Sequence, residues 1–179
     1  MEELIDVLDE NGILKDVKQR SEVHNKGLWH RSVHIWIINS DGNILLQKRS
    51  EQKKFFPNVW DCAYAGHISH GETAITTAIR EGEEELGLKI VGSNLKHLFT
   101  NKESISYCGI INNEFVDIFI YECDINLKSL TLQKEEVAEV KWVTAEEFLK
   151  MLKTDKVLHH DEKEYEILYK YLENKFVLR

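Results

Sequence analysis

Proline is nearly absent from this chain: 179 residues contain one, Pro57, which excludes proline-rich linkers, polyproline recognition segments and collagen-like repeats. Cysteine is scarce as well. The three present, Cys62, Cys108 and Cys123, are odd in number, widely spaced and form no Cys-x-x-Cys pair. That argues against a disulfide framework or a structural zinc site and for reduced thiols in a cytoplasm. No apolar run approaches the roughly 20 residues that span a bilayer. The N-terminal stretch MEELIDVLDE is acidic where a signal peptide would be basic, so a soluble cytoplasmic protein with no membrane partner is expected. An excess of positive charge is also missing. The formal net charge of −8 argues against a nucleic acid polymer, whose non-specific capture relies on clustered Lys and Arg. A small phosphorylated ligand is still admissible, because a bound divalent cation reverses the local charge.

Apolar material, by contrast, is ample: 42% of residues are hydrophobic, with four Trp, seven Phe and six Tyr. This suffices for one substantial core, and a single domain over residues 1–179 is expected. Two apolar runs around Asp9 to Gly12 predict an N-terminal β-hairpin, and Ser21 is a candidate cap for a short helix. A second hairpin is predicted from Val33–Ile38 and Ile44–Lys48 around Asp41-Gly42. Further strands are expected at Trp60–Ala65, Leu88–Val91, Leu95–Thr100, Ser106–Ile111, Phe115–Tyr121 and Val137–Val143. Thr73 caps a predicted amphipathic helix ending near Gly87, Thr144 caps AEEFLKMLK, and EKEYEILYKYLENKF forms another helix. Strands interleaved with a few helices predict an α+β domain, a mixed sheet covered by helices.

The segment REGEEELGL concentrates Glu81, Glu83, Glu84 and Glu85 around Gly82. At about 100° per residue, Glu81, Glu84 and Glu85 share one arc, opposite Ile75, Ala78, Ile79 and Leu86, while Glu83 points away. Three carboxylates on one helical face repel one another, and near a helix C-terminus the macrodipole disfavours them further. Gly82 costs about 1 kcal/mol of helix propensity in the same turn. A divalent cation such as Mg2+ or Mn2+, held by hard oxygen ligands, turns the repulsion into a binding site. Arg80 is spaced to pair with Glu84.

These residues and those before them resemble the Nudix box: Gly, five residues, Glu, seven residues, Arg-Glu, an aliphatic residue, any residue, Glu-Glu, any residue, Gly, an aliphatic residue. Over residues 66–88 the chain reads GHISHGETAITTAIREGEEELGL, and Gly66, Glu72, Arg80, Glu81, Glu84, Glu85, Gly87 and Leu88 all match. Gly82 is the one departure, and close packing of the helix against the sheet is its expected cause. The resemblance implies an αβα sandwich and Mg2+-dependent hydrolysis of a nucleoside diphosphate linked to another moiety, with homodimers common among relatives. It places the metal on Glu81, Glu84 and Glu85, with the carbonyl of Ala65 or Gly66 as a further ligand, or gives Glu81 to the attacking water. A general base from outside the box would be Glu114, Glu135 or Glu136. Arg49 either reaches the diphosphate or is a solvated strand-end residue.

The wider frame from His30 to Trp142 resembles the Nudix branch that contains isopentenyl diphosphate isomerase, so isomerisation is the rival reading, and a catalytically silent nucleotide-binding domain a third. Isomerases of that branch carry a cysteine immediately before the start of the box. Here that position is Ala65, and Cys62 lies three residues earlier, where strand alternation would turn it to the other face. His30, His67 and Glu114 match three of the isomerase metal ligands, and Asn112 replaces a fourth. Loss of one catalytic set beside retention of the complete box favours the hydrolase. Phe55, Phe56 and Trp60 could stack on a base and are assigned to the core.

Overall fold

The computed structural model describes residues 2–154 and 156–176; Met1 and residues 177–179, the ends of the expected 1–179 domain, lie outside them. In chain order the elements are β1 (Leu4–Leu8), β2 (Leu14–Gln19), α1 (Arg20–Lys26), β3 (Trp29–Ile38), β4 (Ile44–Arg49), β5 (Trp60–Asp61), β6 (Tyr64–His67), α2 (Ala74–Leu86), β7 (Lys96–Tyr107), β8 (Ile110–Glu122), β9 (Val137–Val143), α3 (Ala145–Met151) and α4 (Glu162–Lys175). Every strand belongs to one mixed sheet. β3 is its axis: β8 runs parallel to it from Trp29↔Asn113 to Ile38↔Glu122, while β6 pairs antiparallel with its middle and β4 with its end.

Period-2 alternation on β3 divides the interior into two layers. Val33, Ile35 and Ile37, with Leu45, Phe119 and Tyr121, pack beneath Ala78 and Leu86 of α2. Trp36 and Ile38, with Leu46, Ile118 and Ile120, pack beneath Phe148 of α3 and Tyr165, Leu168 and Leu172 of α4. The sheet is thus flanked by helices on both faces. Beyond the N-terminal end of α4 the second face changes character. Ser32 of β3, Glu114 of β8 and Glu103 of β7 replace the apolar residues, and they line a cavity of about 1070 Å³. The N-terminal hairpin, β1 paired with β2, lies beside β3 through Leu8↔Trp29 and contributes Glu2 and Glu3 to the cavity rim.

Several sequence expectations shift. Leu88–Val91 is not a strand: after Gly87 the Leu88 amide returns to the carbonyl of Gly82 (3.0 Å) and Ile90 is buried against α2. Those alternating apolar residues therefore cover a helix. Ser106–Ile111 spans a tight turn, with Cys108 and Gly109 both at positive φ (49° and 81°), and joins β7 to β8. The strand at Trp60–Ala65 is broken into β5 and β6 by a bend at Cys62–Ala63. Ser21 does not cap α1; Gln19 occupies the N-cap position without a side-chain bond. Ile75, assigned to the apolar arc of α2, is 44% exposed. Thr73 and Thr144 do cap α2 and α3, each in a capping box.

Gly82 is explained by contact. A β-carbon there would stand 2.9 Å from Ile90 Cγ1 and 3.0 Å from the Tyr64 hydroxyl. Tyr64 cannot easily retreat, because its hydroxyl donates to the Ala78 carbonyl at 2.9 Å. Alanine would gain about 1 kcal/mol of helix propensity and meet an overpacking cost of about 1–3 kcal/mol. Gly82→Ala is accordingly expected to lower unfolding stability by about 1 kcal/mol net; a urea midpoint equal to or above wild type would show that the contact is soft.

Candidate functional site

One basic side chain organises the glutamate face of α2. Arg80 grips Glu72 with Nε and Nη2, both at 3.0 Å, and its Nη1 donates to Glu81 (2.8 Å) and Glu84 (3.1 Å). The expected Arg80–Glu84 pair is therefore one arm of a four-residue clamp, and Glu72 is its strongest partner. With so many acceptors around it, the guanidinium is committed to positioning these acids.

The three acids of the arc differ in exposure. Glu84 is on the rim, its side chain 54% exposed, and Glu81 is at 14%. Glu85 is at 5%, and its Oε2 has no hydrogen-bond partner. Glu81 lies directly against the backbone of Gly66, where any β-carbon would collide with its carboxyl group. Glycine at the start of the box is thus required for this helix to approach β6. Burial, reinforced by Glu84, raises Glu81 against the pull of Arg80. Burial and then the charge of Glu81 push Glu85 up to about 8. A buried, unpartnered carboxylate oxygen beside a second carboxylate is a donor set that suits a divalent cation.

Across the cavity stands a second group of metal-binding side chains. His24 of α1, His30 of β3 and His67 of β6 bring donor atoms within 4.8 Å of one another. Glu114 Oε1 lies 3.4 Å from His30 Nε2 and 3.6 Å from His67 Nε2, and Asn112 donates to Glu114 Oε2 at 2.6 Å. Burial lowers His24 to about 4 and His67 well below the usual range, so both are neutral with a free lone pair at pH 7. Glu114 is drawn down, against the effect of burial, by the hydrogen bond and charge of His30. His30 is raised by Glu114 despite its own burial.

The remaining sequence candidates fall as follows. Glu135 and Glu136 line the cavity, and Glu136 is ion-paired with Lys53. Arg49 also lines it, with Nε and Nη2 donating to the carbonyls of Phe56 (3.0 Å) and Phe55 (2.9 Å). Phe55 and Phe56 are cavity residues, contrary to their expected place in the core, and Phe56 packs on Tyr107. Trp60 does pack against the core, under Lys141. Ala65 faces the cavity. Cys62 is fully buried in the α3–α4 layer with its thiol on the Tyr64 carbonyl (3.3 Å), and that layer is also the one Ala65 packs against. Strand alternation failed as a guide there because the chain bends between them. His24, Glu103 and His160 belong to the cavity and carry no local sequence signal, since each reaches it from a different element.

A mixed sheet with helices on both faces and an acid-bearing helix over one end of a polar cleft is the architecture of a Nudix domain. A model described as NUDIX domain matches residues 28–163. Nudix hydrolase 3 of Arabidopsis thaliana is 43% identical over 84% of the chain, which spans only 20% of that larger protein. An uncharacterised Nudix hydrolase of Clostridium acetobutylicum is 36% identical over 84% of the chain and 74% of its own length. An isopentenyl-diphosphate Delta-isomerase of Jannaschia is 33% identical over 74% of the chain and 73% of its own. Among solved structures, a Deinococcus radiodurans protein superposes with TM-score 0.73 at 20% identity, covering 94% of this chain and 98% of its own. The NUDIX domain of Shewanella oneidensis NrtR, complexed with ADP ribose, superposes with TM-score 0.61 at 16% identity, covering 79% and 87%. The chain belongs to the Nudix family. The Clostridium relative, matched over most of its own length, is a Nudix hydrolase of that family.

The Glu85 carboxyl generates a stability test on protein kept free of metal by chelation. Between the ordinary carboxyl value of 4.5 and about 8, the folded protein holds a proton there that the unfolded chain has released. Stability from this group is complete below that window and is lost as pH rises through it, by at most roughly 1.4 kcal/mol per pH unit. Glu85→Gln is expected to be more stable than wild type at pH 8, with the gap shrinking towards pH 5. Parallel urea midpoints for the two proteins across that range would refute the burial argument.

Proposed function

We propose that this chain hydrolyses the diphosphate bond of a nucleoside diphosphate linked to another moiety, with Mg2+ or Mn2+ held by Glu81, Glu84 and Glu85. The carrying observation is Glu85: a buried carboxyl with an unpartnered oxygen, one turn from a partly buried carboxyl pressed against Gly66, is a costly arrangement in a chain with no use for it. Held by these acids, a divalent cation would supply positive charge for the phosphate oxygens and acidify the attacking water. The chain's own residues supply the geometry. Arg80 fixes Glu81 and Glu84 and is itself fixed by Glu72, so the acids are pre-organised. Glu81, raised by burial, is the box acid that either holds the metal or takes the proton of the attacking water. Glu114, held ionised by His30, is suited to orienting a water or holding a second cation with His24, His30 and His67. Glu135 and Glu136 are at the cavity wall and remain alternative bases.

Arg49 and Lys53 line the cavity and supply positive charge for the phosphates, and Phe55 and Phe56 offer faces for a base. The Shewanella domain is complexed with ADP ribose, a nucleoside diphosphate linked to a sugar. The histidine set keeps the isomerase reading in view, since His30, His67 and Glu114 match that branch. Isomerisation nevertheless needs a proton donor at the start of the box, where Ala65 has none, and the Cys62 thiol is sealed in the core with burial pushing it well up.

The test is a panel of diphosphate compounds with Mg2+ or Mn2+, isopentenyl diphosphate included, with products followed. Cleavage of at least one nucleotide without a double-bond shift is expected; isomerisation without cleavage overturns the assignment. Glu85→Gln is expected to lose about 10²-fold or more in kcat while gaining the stability described above. Wild-type turnover in that variant would remove the metal-face argument.

A further inference from the structure

The inner end of the cavity holds a third group of buried polar side chains, which hydrolysis itself does not use. His160, in the segment leading into α4, has Nε2 2.8 Å from Asp61 Oδ1, and Asp61 Oδ2 accepts from Arg49 Nη1 at 3.3 Å. His34 of β3 stacks beside His160 with ring centroids 4.3 Å apart, its Nδ1 3.2 Å from both oxygens of Glu164. Glu164 is completed by Trp36 Nε1 at 2.7 Å. Among these side chains, histidine is matched to carboxylate pair by pair.

Two groups are left over. Both carboxyl oxygens of Glu103, a residue 6% exposed, lack a hydrogen-bond partner, and so does Nδ1 of His160, 3.6 Å from Glu103 Oε1. The hydroxyl of Ser32, on the same sheet face, is also unpartnered. All three residues line the cavity. Leaving a buried acceptor unmade is costly, more so for a charged group, and is tolerated where a ligand completes it. Asp61 raises His160 well above its ordinary value, so with Nε2–H on Asp61 the second ring N–H faces Glu103 Oε1 at 3.6 Å without a hydrogen bond. The cavity floor therefore offers two carboxyl acceptors, one imidazolium donor and one hydroxyl. A hydrocarbon placed there would strand all of them, and sites built on buried polar groups reject analogues that cannot pair with them by large factors.

We propose that this floor, centred on Glu103 with His160 and Ser32, is the specificity subsite for the group attached to the diphosphate, and that it takes a hydrogen-bond-donating polar head, hydroxyl or ammonium, in preference to a hydrocarbon. The inference rests on the hydrolase reading above for which molecule enters, though not for the chemistry of the floor. Glu103 selects and holds the head; it is a binding residue and takes no part in the hydrolytic step.

The experiment compares the ethanolamine, glycerol and propyl esters of CDP and of ADP. Equilibrium binding is measured by calorimetry, and turnover with Mg2+ is followed in parallel. Wild type is expected to bind the ethanolamine or glycerol ester at least tenfold tighter than the propyl ester. Glu103→Leu should erase that preference through KM, and circular dichroism checks its fold. The isosteric Glu103→Gln separates the two heads: losing the ethanolamine preference alone identifies an ammonium, retaining the glycerol preference identifies hydroxyls. Equal binding of propyl and polar esters, a preference that survives in Glu103→Leu, or no binding of any ester overturns the proposal. Preferential binding without cleavage of any ester supports the subsite and counts against the hydrolase reading, whereas cleavage without preference does the reverse.

Discussion

A carboxylate removed from water must meet a cation, a donor or a proton, and α2 sets three of them side by side at the mouth of a cleft. Arg80 can serve Glu72, Glu81 and Glu84 but does not reach Glu85. Without a cation, Glu85 holds its proton to unusually high pH. That one unmet requirement connects the pieces: the clamp that aims the acids, the glycine that lets Glu81 lie on β6, and the repulsion that a bound divalent ion relieves.

Close approach is the second requirement, and glycine meets it twice. At Gly66 the absent β-carbon makes room for the Glu81 carboxyl, and at Gly82 it makes room for Ile90 and Tyr64. The departure from the usual aliphatic residue at position 82 is thereby tied to the segment after the helix. Ile90 crosses over α2 and fills the space an aliphatic side chain of the helix itself would otherwise occupy.

The sheet face opposite α2 determines what kind of substrate can be held. Under α3 and α4 it is apolar, and beyond them it becomes a surface of Ser32, Glu103, Glu114 and the histidines. A branch of proteins whose relatives include both hydrolases and isomerases shares this architecture. In this chain Ala65 removes the acid–base group expected for double-bond chemistry, and the polar floor removes the apolar setting that an isoprenoid chain would favour.

The glutamate arc, its opposition to Ala78 and Leu86, the Thr73 and Thr144 caps, the N-terminal hairpin and the span of β9 were all legible in the sequence. Each depends on spacing within one element, where periodicities of 3.6 and 2 assign faces directly. Leu88–Val91 misled because alternation records that one side is buried without saying whether sheet or helix buries it. Cys62 and Ala65 misled because a bend interrupts the count. What only the tertiary structure decided is the convergence of His24 with His30 and His67, of Glu103 with His160 and Ser32, and the turning of Phe55 and Phe56 into the cavity. Those residues come from different helices, strands and loops, and their meeting depends on strand order and on the parallel register of β8 against β3, which no local pattern of residues encodes.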